Sequence, residues 1–569
     1  MKTKFTLLII VLALFGLSNQ ANAQSPVLEK TYDVSGKAKR GFLGGVEVNK
    51  EKGAFDLVFL TSGFFSGAGN ATSGFDADVP VEIYSYDKEL NFLNSDKTKV
   101  SANKYSWFNY RGLYTFEMVK CMVNLGGLSF QKVNRQYMYE PKTGQYYINR
   151  EKVLEKEHPK TADGNRYSFY AVSNYDVAAE RSSIVVAGKK IDKSAATKEN
   201  KMHLFNHMMH YDVMHCDKDL NVVVTDSVNF NCVNTMMYSG QIKDQRRETN
   251  DELARDWVLI YAGSWIDNPK MMYQAPNPTS YTYIRITPQG KVVDKIAFDS
   301  PANAWKVEGV YEENNAVYIY GSAIVKDREK KNMSDVIGSG GWDKATYTHY
   351  QIGKISGGKF DFLKVHALKD MQAKLMKPST QKKMLEITGK KEETTGLILA
   401  SNGDIYVNYQ NYDTGEQGKD YKSMFLFQFD PSGNIKKNYG IDLPEHSNKE
   451  GAVGKPAQNY FFPSGDGKSL YWFLTYPKSA ACTGTATAEY NNRSCWPLLG
   501  VDYTSVNIET GELAEMKTFG KEKKNEFYLF GTTTKPYQLD NFIYFFSEDE
   551  NEKGKGGDNM RLTRIDISK

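Results

Sequence analysis

The run KMHLFNHMMHYDVMHCD, Lys201 to Asp217, gathers His203, His207, His210, His215 and Cys216. Imidazole with thiolate is a ligand set for Zn²⁺ or a copper ion. On a helix, His203, His207 and His210 would fall at i, i+4 and i+7 and share one face, which makes these three the metal candidates. A strand reading of Asp212 to Cys216 instead points His215 and Cys216 to opposite faces, so they do not serve one ion. A histidine on a strand is an ordinary structural residue, and no cofactor is expected.

Other chemistry has less support. Asp76, Asp78 and Asp267 are acids without a placed partner, and glycosidase chemistry needs two facing carboxylates. A nucleophile-elbow pattern is absent. The glycines between Gly63 and Gly74 lie between strands and do not open a helix, so they are no phosphate loop. No catalytic residue is assigned.

The elements that must carry these residues are strands. Thr394 to Tyr439 shows the unit most clearly. Leu397 to Ala400 and Ile405 to Gln410 are joined through Asn402-Gly403, and the alternating strand Met424 to Phe429 turns at Asp430-Pro431-Ser432-Gly433. Two hairpins in series make a four-stranded meander the size of a propeller blade. The best internal repeat is IYSYDKELN, from Ile83, against VMHCDKDLN, from Val213. Seven units read well, and the region Tyr105 to Ile148 is an eighth with poor turns. Val27 to Gly36 is a lone strand placed to close the last blade. The expected fold is therefore all-β: one β-propeller of four-stranded antiparallel blades, seven or eight in number. His366 to Glu393 breaks the pattern as a Lys-rich helical insertion, with Leu368, Met371, Leu375, Met384, Leu385 and Ile387 as its apolar positions.

The segment FPSGDGKSLYWF, Phe462 to Phe473, resembles the Pro-Asp-Gly repeat of TolB-like propellers, with an extra Gly465. It is also similar to the Asp-box turn of sialidases, at a different spacing. Both turns are structural in their families, so the resemblance implies a propeller hairpin and no activity.

Composition agrees with a repeat array. Aromatics are 13% of 569 residues, with 37 Tyr and 30 Phe, and apolar runs are short and rich in strand formers. Lys2, Lys4, the apolar stretch Phe5 to Leu17 and Ala21-Asn22-Ala23 read as a signal peptide over residues 1–23, leaving residues 24–569 for the propeller. Cleavage takes the formal charge from +4 to +2 (4 − 2 = 2), which gives no reason to expect nucleic acid. No later run is long enough to span a bilayer. Leader and Lys, Asn and Tyr usage are similar to those of exported Bacteroidota proteins, which implies the periplasm, the outer membrane or the cell exterior. In that setting Cys482 with Cys495 is the expected disulfide, and Cys216 with Cys232 a possible second among the five cysteines.

Connection lengths point to function. Turns between third and fourth strands are tight, whereas second-to-third links are long: 62–80, 188–209, 263–280, 324–345, 411–423, 477–499 and 548–559. In a ring these emerge on one rim, where binding commonly resides. Phe64, Phe65, Phe75, Trp265, Tyr273, Trp342, Tyr412 and Trp496 lie on them as binding candidates. The reading is a noncatalytic exported scaffold that binds another envelope or cell-surface protein, in an outer-membrane complex for instance. The alternative is a polysaccharide-binding or polysaccharide-cleaving propeller, in which the aromatics are sugar platforms.

Overall fold

The computed structural model describes residues 27–40, 42–60, 78–101, 113–124, 127–140, 145–157, 159–175, 182–191, 205–217, 219–243, 255–265, 273–326, 341–342, 344–415, 418–443, 458–483, 494–519, 527–530, 536–551 and 559–569. Residues 1–26, which include the expected signal peptide, lie outside them.

The chain is all-β, built from antiparallel sheets taken in chain order. Sheet I comprises Phe42–Asn49, Ala54–Leu60, Asp78–Asp87 and Phe92–Ser101. Sheet II has three strands, Leu113–Asn124, Gly127–Glu140 and Gln145–Glu157. Sheet III is Tyr167–Tyr175, Ser182–Lys189, His210–Cys216 and Val222–Asn229. Sheet IV is Asn234–Gln241, Trp257–Gly263, Ser280–Ile286 and Val292–Asp299. In sheet V the first strand comes in two pieces, Ala304–Trp305 and Gly309–Glu313, followed by Ala316–Ile324, His349–Ser356 and Lys359–Ala367. Sheet VI is Glu392–Leu399, Ile405–Gly415, Gly418–Phe429 and Ile435–Ile441. Sheet VII is Gln458–Pro463, Ser469–Thr483, Ser494–Asn507 and Lys517–Phe519.

Sheet VIII joins the two ends of the chain. Its first three strands are Tyr537–Leu539, Phe542–Asn551 and Asn559–Asp566, and its fourth is the N-terminal strand Val27–Asp33, paired antiparallel from Val27 opposite Ile565 to Asp33 opposite Asn559. Its first strand is therefore Tyr537–Leu539, and the preceding strand Phe527–Phe530 is not one of its four. Phe527–Phe530 pairs with Leu498 and Leu499 of sheet VII and with Asp549 to Asn551 of sheet VIII, tying the two together.

Alternation on each strand supplies two apolar faces, and neighbouring sheets bury them against each other. Phe55, Leu57 and Tyr86 of sheet I pack with Tyr544, Phe546 and Leu562 of sheet VIII. Sheets III and IV meet through Val186, Val213, Trp257 and Tyr261, and IV and V through Ile260, Tyr283, Trp305 and Ile319. Tyr350, Ile352, Tyr409 and Phe427 join V to VI, Tyr406, Leu426 and Trp472 join VI to VII, and Phe473, Tyr503 and Phe545 join VII to VIII. Sheet III is thus linked in series through VIII to sheet I. The first two strands of sheet II lie beside the first two strands of sheet III.

The Lys-rich insertion is helical only over Leu368–Ala373. Leu375–Met376 then adds a short parallel strand to the outer edge of sheet VI, and the rest, to Lys391, is irregular chain with turns and bends. Leu368, Met371, Leu375, Leu385 and Ile387 are buried in the V/VI core as their pattern predicts, but Met384 is exposed. Pro378 and the sheet edge explain the short helix: proline cannot continue one, and the open edge accepts a strand.

Candidate functional site

One side of the array is occupied by contacts between sheets. In sheets I, III and VI the turn between third and fourth strands begins with an aspartate whose carboxylate replaces a missing ladder partner. Asp87 accepts from the amides of Glu89 (2.9 Å) and Asn91 (2.8 Å) and from the Asn91 side chain (3.0 Å). Asp217 does the same with Asp219 and Asn221, and Asp430 with Ser432 and Asn434. The fourth residue takes positive φ, Leu90 and Leu220 at 60° and Gly433 at 77°. Burial opposes ionisation of these three carboxyls, but the donors around each hold its pKa below the usual value.

The third-to-fourth turns of sheets I, IV, VI and VII are also seats for the sheet before them. Thr225 of sheet III donates to the Gly290 carbonyl (2.7 Å), Tyr439 of sheet VI to Gly511 (3.1 Å), and Tyr32 and Tyr544 of sheet VIII to Leu90 (2.6 Å) and Lys88 (3.0 Å). At the V/VI junction His366 Nε2 lies 2.8 Å from the Gly433 carbonyl. The recurrence of one contact means the sheets are stacked in the same sense. Their tight turns therefore share a side, and their second-to-third links and sheet-to-sheet crossings share the other.

On that second side, two expected loops are paired strands. In sheet VI the ladder continues from Tyr412 opposite Tyr421 to Gly415 opposite Gly418. Asp413 there holds Lys422 at 2.6 Å and Lys391 of the insertion at 3.5 Å. In sheet VII the ladder runs from Pro477 opposite Leu499 through Cys482 opposite Cys495 to Thr483 opposite Ser494. Both links are β-ribbons, because strands that stay paired satisfy their backbone groups without a separate loop structure. Sheet VIII likewise keeps its second strand through Asn551.

The aromatic candidates are dispersed. Phe64, Phe65 and Phe75 lie outside the described residues, as does the Trp496 side chain, although its backbone pairs with Ala481 on the ribbon. Trp265 and Tyr273 are half-buried after the second strand of sheet IV, and the Tyr273 carbonyl accepts the Val233 amide at 2.7 Å. Trp342 packs on Ala304, Ile324, Ala345 and Tyr347, and its carbonyl accepts the Tyr347 hydroxyl (2.8 Å). Tyr412 is only 7% exposed and belongs to the core. Trp342 and Tyr412 thus hold their own connections together.

His207 and His210 lie on different elements and share no helix. His203 lies outside the described residues, His207 sits in the 3₁₀ turn Asn206–Met208, and His210 opens a strand with its Nδ1 3.0 Å from Asn229 Oδ1. Burial and the nearby Lys190 charge lower the His207 pKa. No group of three metal-ligating side chains converges among the described residues. Cys216 is buried in sheet III and Cys232 is half-buried beside Asn234, and the two are not bridged to each other, so the possible second disulfide is not formed.

A cluster that sequence reading missed lies at the V/VI junction. The first strand of sheet V is broken at residues 306–308, where the Lys306 and Glu308 amides donate to Ser322 and Tyr320 carbonyls. Gly321 permits this, since a Cβ there would stand 2.0 Å from the Lys306 carbonyl oxygen. The bulge turns Glu308 inward at 4% side-chain exposure, 3.2 Å from Lys306 Nζ. Its Oε2 accepts the Thr394 hydroxyl (2.6 Å) and amide (3.2 Å), and the Tyr350 hydroxyl lies 2.8 Å from Thr394 Oγ1. Nearby Glu392 accepts the Thr388 and Gly389 amides at 2.8 and 2.7 Å, and the Tyr409 hydroxyl as well. Burial pushes both carboxyls above the usual range despite these donors, and pushes the Tyr350 and Tyr409 phenols well up. Both oxygens of each carboxyl face donors from the chain itself. The pair fastens the first strand of sheet VI to sheet V.

No protein-family model matches the chain, and no curated protein matches it. Among solved structures, polysaccharide lyase Uly1 aligns over 96% of this chain and 94% of its own at 9% identity, with a TM-score of 0.31. A protein from Lactobacillus plantarum aligns over 81% and 95% at 9% identity and a TM-score of 0.26. Cobalt-substituted Synechocystis apocarotenoid oxygenase aligns over 90% and 96% at 8% identity and a TM-score of 0.26. No site, substrate or cofactor is carried from these proteins to this chain.

Proposed function

We propose that the sheets close into a single β-propeller, exported by the leader and held in the periplasm or at the outer membrane, and that it is a noncatalytic scaffold for another envelope or cell-surface protein. The observation that carries this reading is the division of labour between the two sides. The tight turns of sheets I, IV, VI and VII are seats for neighbouring sheets. The long connections and both ribbons leave from the other side, where a rigid array can present them to a partner. The buried Glu308 and Glu392 support a structural role for the acids at the V/VI junction, since their oxygens are engaged within the chain.

The test is capture from envelope extract with the full chain as bait. Replacing residues 413–420 or 480–497 by a Gly-Gly turn is expected to lower recovery of the captured protein at least tenfold. An insertion in the open turn Ser356-Gly357-Gly358 is expected to leave it unchanged. Equal recovery with every variant, or release of reducing ends from a polysaccharide panel, would replace this reading.

A further inference from the structure

We infer that Cys482 and Cys495 form a disulfide that locks the ribbon of sheet VII, a modification of one of the elements on which the proposed partner surface rests. Directly opposed residues in an antiparallel pair have Cα atoms about 4.5–5.5 Å apart. Disulfides span Cα separations of about 4.4–6.8 Å. The register places Cys482 directly opposite Cys495, one pair before the last pair of the ladder, Thr483 with Ser494. No backbone movement is needed to bring the two residues within range. Elsewhere the fold keeps cysteines apart. Cys121 faces Phe130 across its ladder, Cys216 is buried among Tyr167, Val185 and Met214, and Cys232 stands beside Asn234.

The position gives the bond a purpose. A two-stranded ribbon that extends past the body of its sheet has fewer neighbours to hold its pairing than the strands behind it, and isolated hairpins are marginal in water. A covalent link near the end of the ladder sets the register there and restrains the connection at 484–493. Pre-ordering a binding element in this way reduces the entropy lost when a partner docks.

Formation is a two-electron oxidation by thiol–disulfide exchange, and the co-reactant is a disulfide, either of a thiol oxidoreductase or of a small thiol such as glutathione. The Cys482 thiolate attacks one sulfur of that disulfide and expels a thiolate, giving a mixed disulfide. Cys495, as its thiolate, then attacks the Cys482 sulfur and expels the second thiolate. Two protons and two electrons leave the chain, and the co-reactant becomes two thiols.

The experiment equilibrates the purified full chain with a tenfold excess of oxidised over reduced glutathione, then alkylates it with iodoacetamide in denaturant. Three of the five cysteines are expected to take the label, and all five after reduction. Trypsin cleavage after Arg493 separates the two cysteines in sequence, so the nicked chain is expected to stay joined until a reductant is added. Cys482→Ser is expected to release Cys495 to the label, so that all four remaining cysteines are alkylated without reduction. Five labelled cysteines in the parent, or a non-reduced peptide joining Cys482 or Cys495 to any other cysteine, overturns the assignment. None of these readouts depends on a partner, so failure here is distinguishable from failure of the scaffold reading.

Discussion

Glu308 sets the terms at the scale of single residues. A carboxyl at 4% exposure is costly to ionise, and Lys306, Thr394 and Ser322 offset only part of that cost. Its folded pKa is raised above the unfolded value of about 4.3. The folded chain therefore holds this proton more tightly than the unfolded one. The stability linked to it is complete below the unfolded pKa and is lost as pH rises through the folded pKa. Glu308→Gln is neutral at every pH and removes that dependence. The difference in urea midpoint, variant minus parent, is expected to move in favour of the variant between about pH 5 and about pH 8. A difference that is flat, or that moves the other way, would mean that Glu308 is ionised throughout and that the Lys306 pair dominates.

At the scale of elements, the turn between third and fourth strands does two jobs. Its aspartate and asparagine complete the local hydrogen bonds, and its outer surface receives the preceding sheet. Gly433 shows both demands: φ is 77°, and a Cβ would stand 2.4 Å from the Phe362 ring of sheet V. Gly357 has φ of 55° with open space around it. Gly357→Ala should therefore cost only the left-handed conformation, about 1–2 kcal/mol. Gly433→Ala adds displacement of a packed ring, typically about 1–3 kcal/mol more. Thermal unfolding of the two variants is expected to rank Gly433→Ala as clearly the less stable, and equal midpoints would show that the turn does not seat sheet V. The aspartate turn was visible in the repeated DKELN and DKDLN because all its bonds are made within a few residues. Its contact with the neighbouring sheet was not, since Phe362 and Gly433 lie in different units.

For the whole molecule, the decisive element is the N-terminal strand. Val27–Asp33 completes sheet VIII, contributes Leu28 and Tyr32 to the core shared with sheet I, and places Glu29 2.9 Å from Arg561, itself 4% exposed. Removing the strand leaves an open edge and takes a carboxylate from a buried guanidinium, and both changes destabilise the array. A chain beginning at Val34 is expected to unfold at lower urea, and the peptide VLEKTYD added in trans is expected to restore part of the midpoint. An unchanged midpoint after truncation would remove the N-terminal strand from the stability of the array.

The sequence by itself determined the strand content, the four-stranded unit, the tight turns and the lone strand available to complete the last sheet. Those features rest on side-chain alternation and on hydrogen bonds between near neighbours, which a linear chain displays. Tertiary structure alone decided that residues 411–415 pair with 418–423 and residues 477–483 with 494–499 as ribbons, that Tyr412 is core, and that Phe527–Phe530 bridges two sheets. It also decided that Glu308 meets Thr394, 86 residues away. Each of these outcomes depends on which surface arrives from a distant part of the chain to pair with or cover the segment, and neither periodicity nor turn chemistry records that arrival.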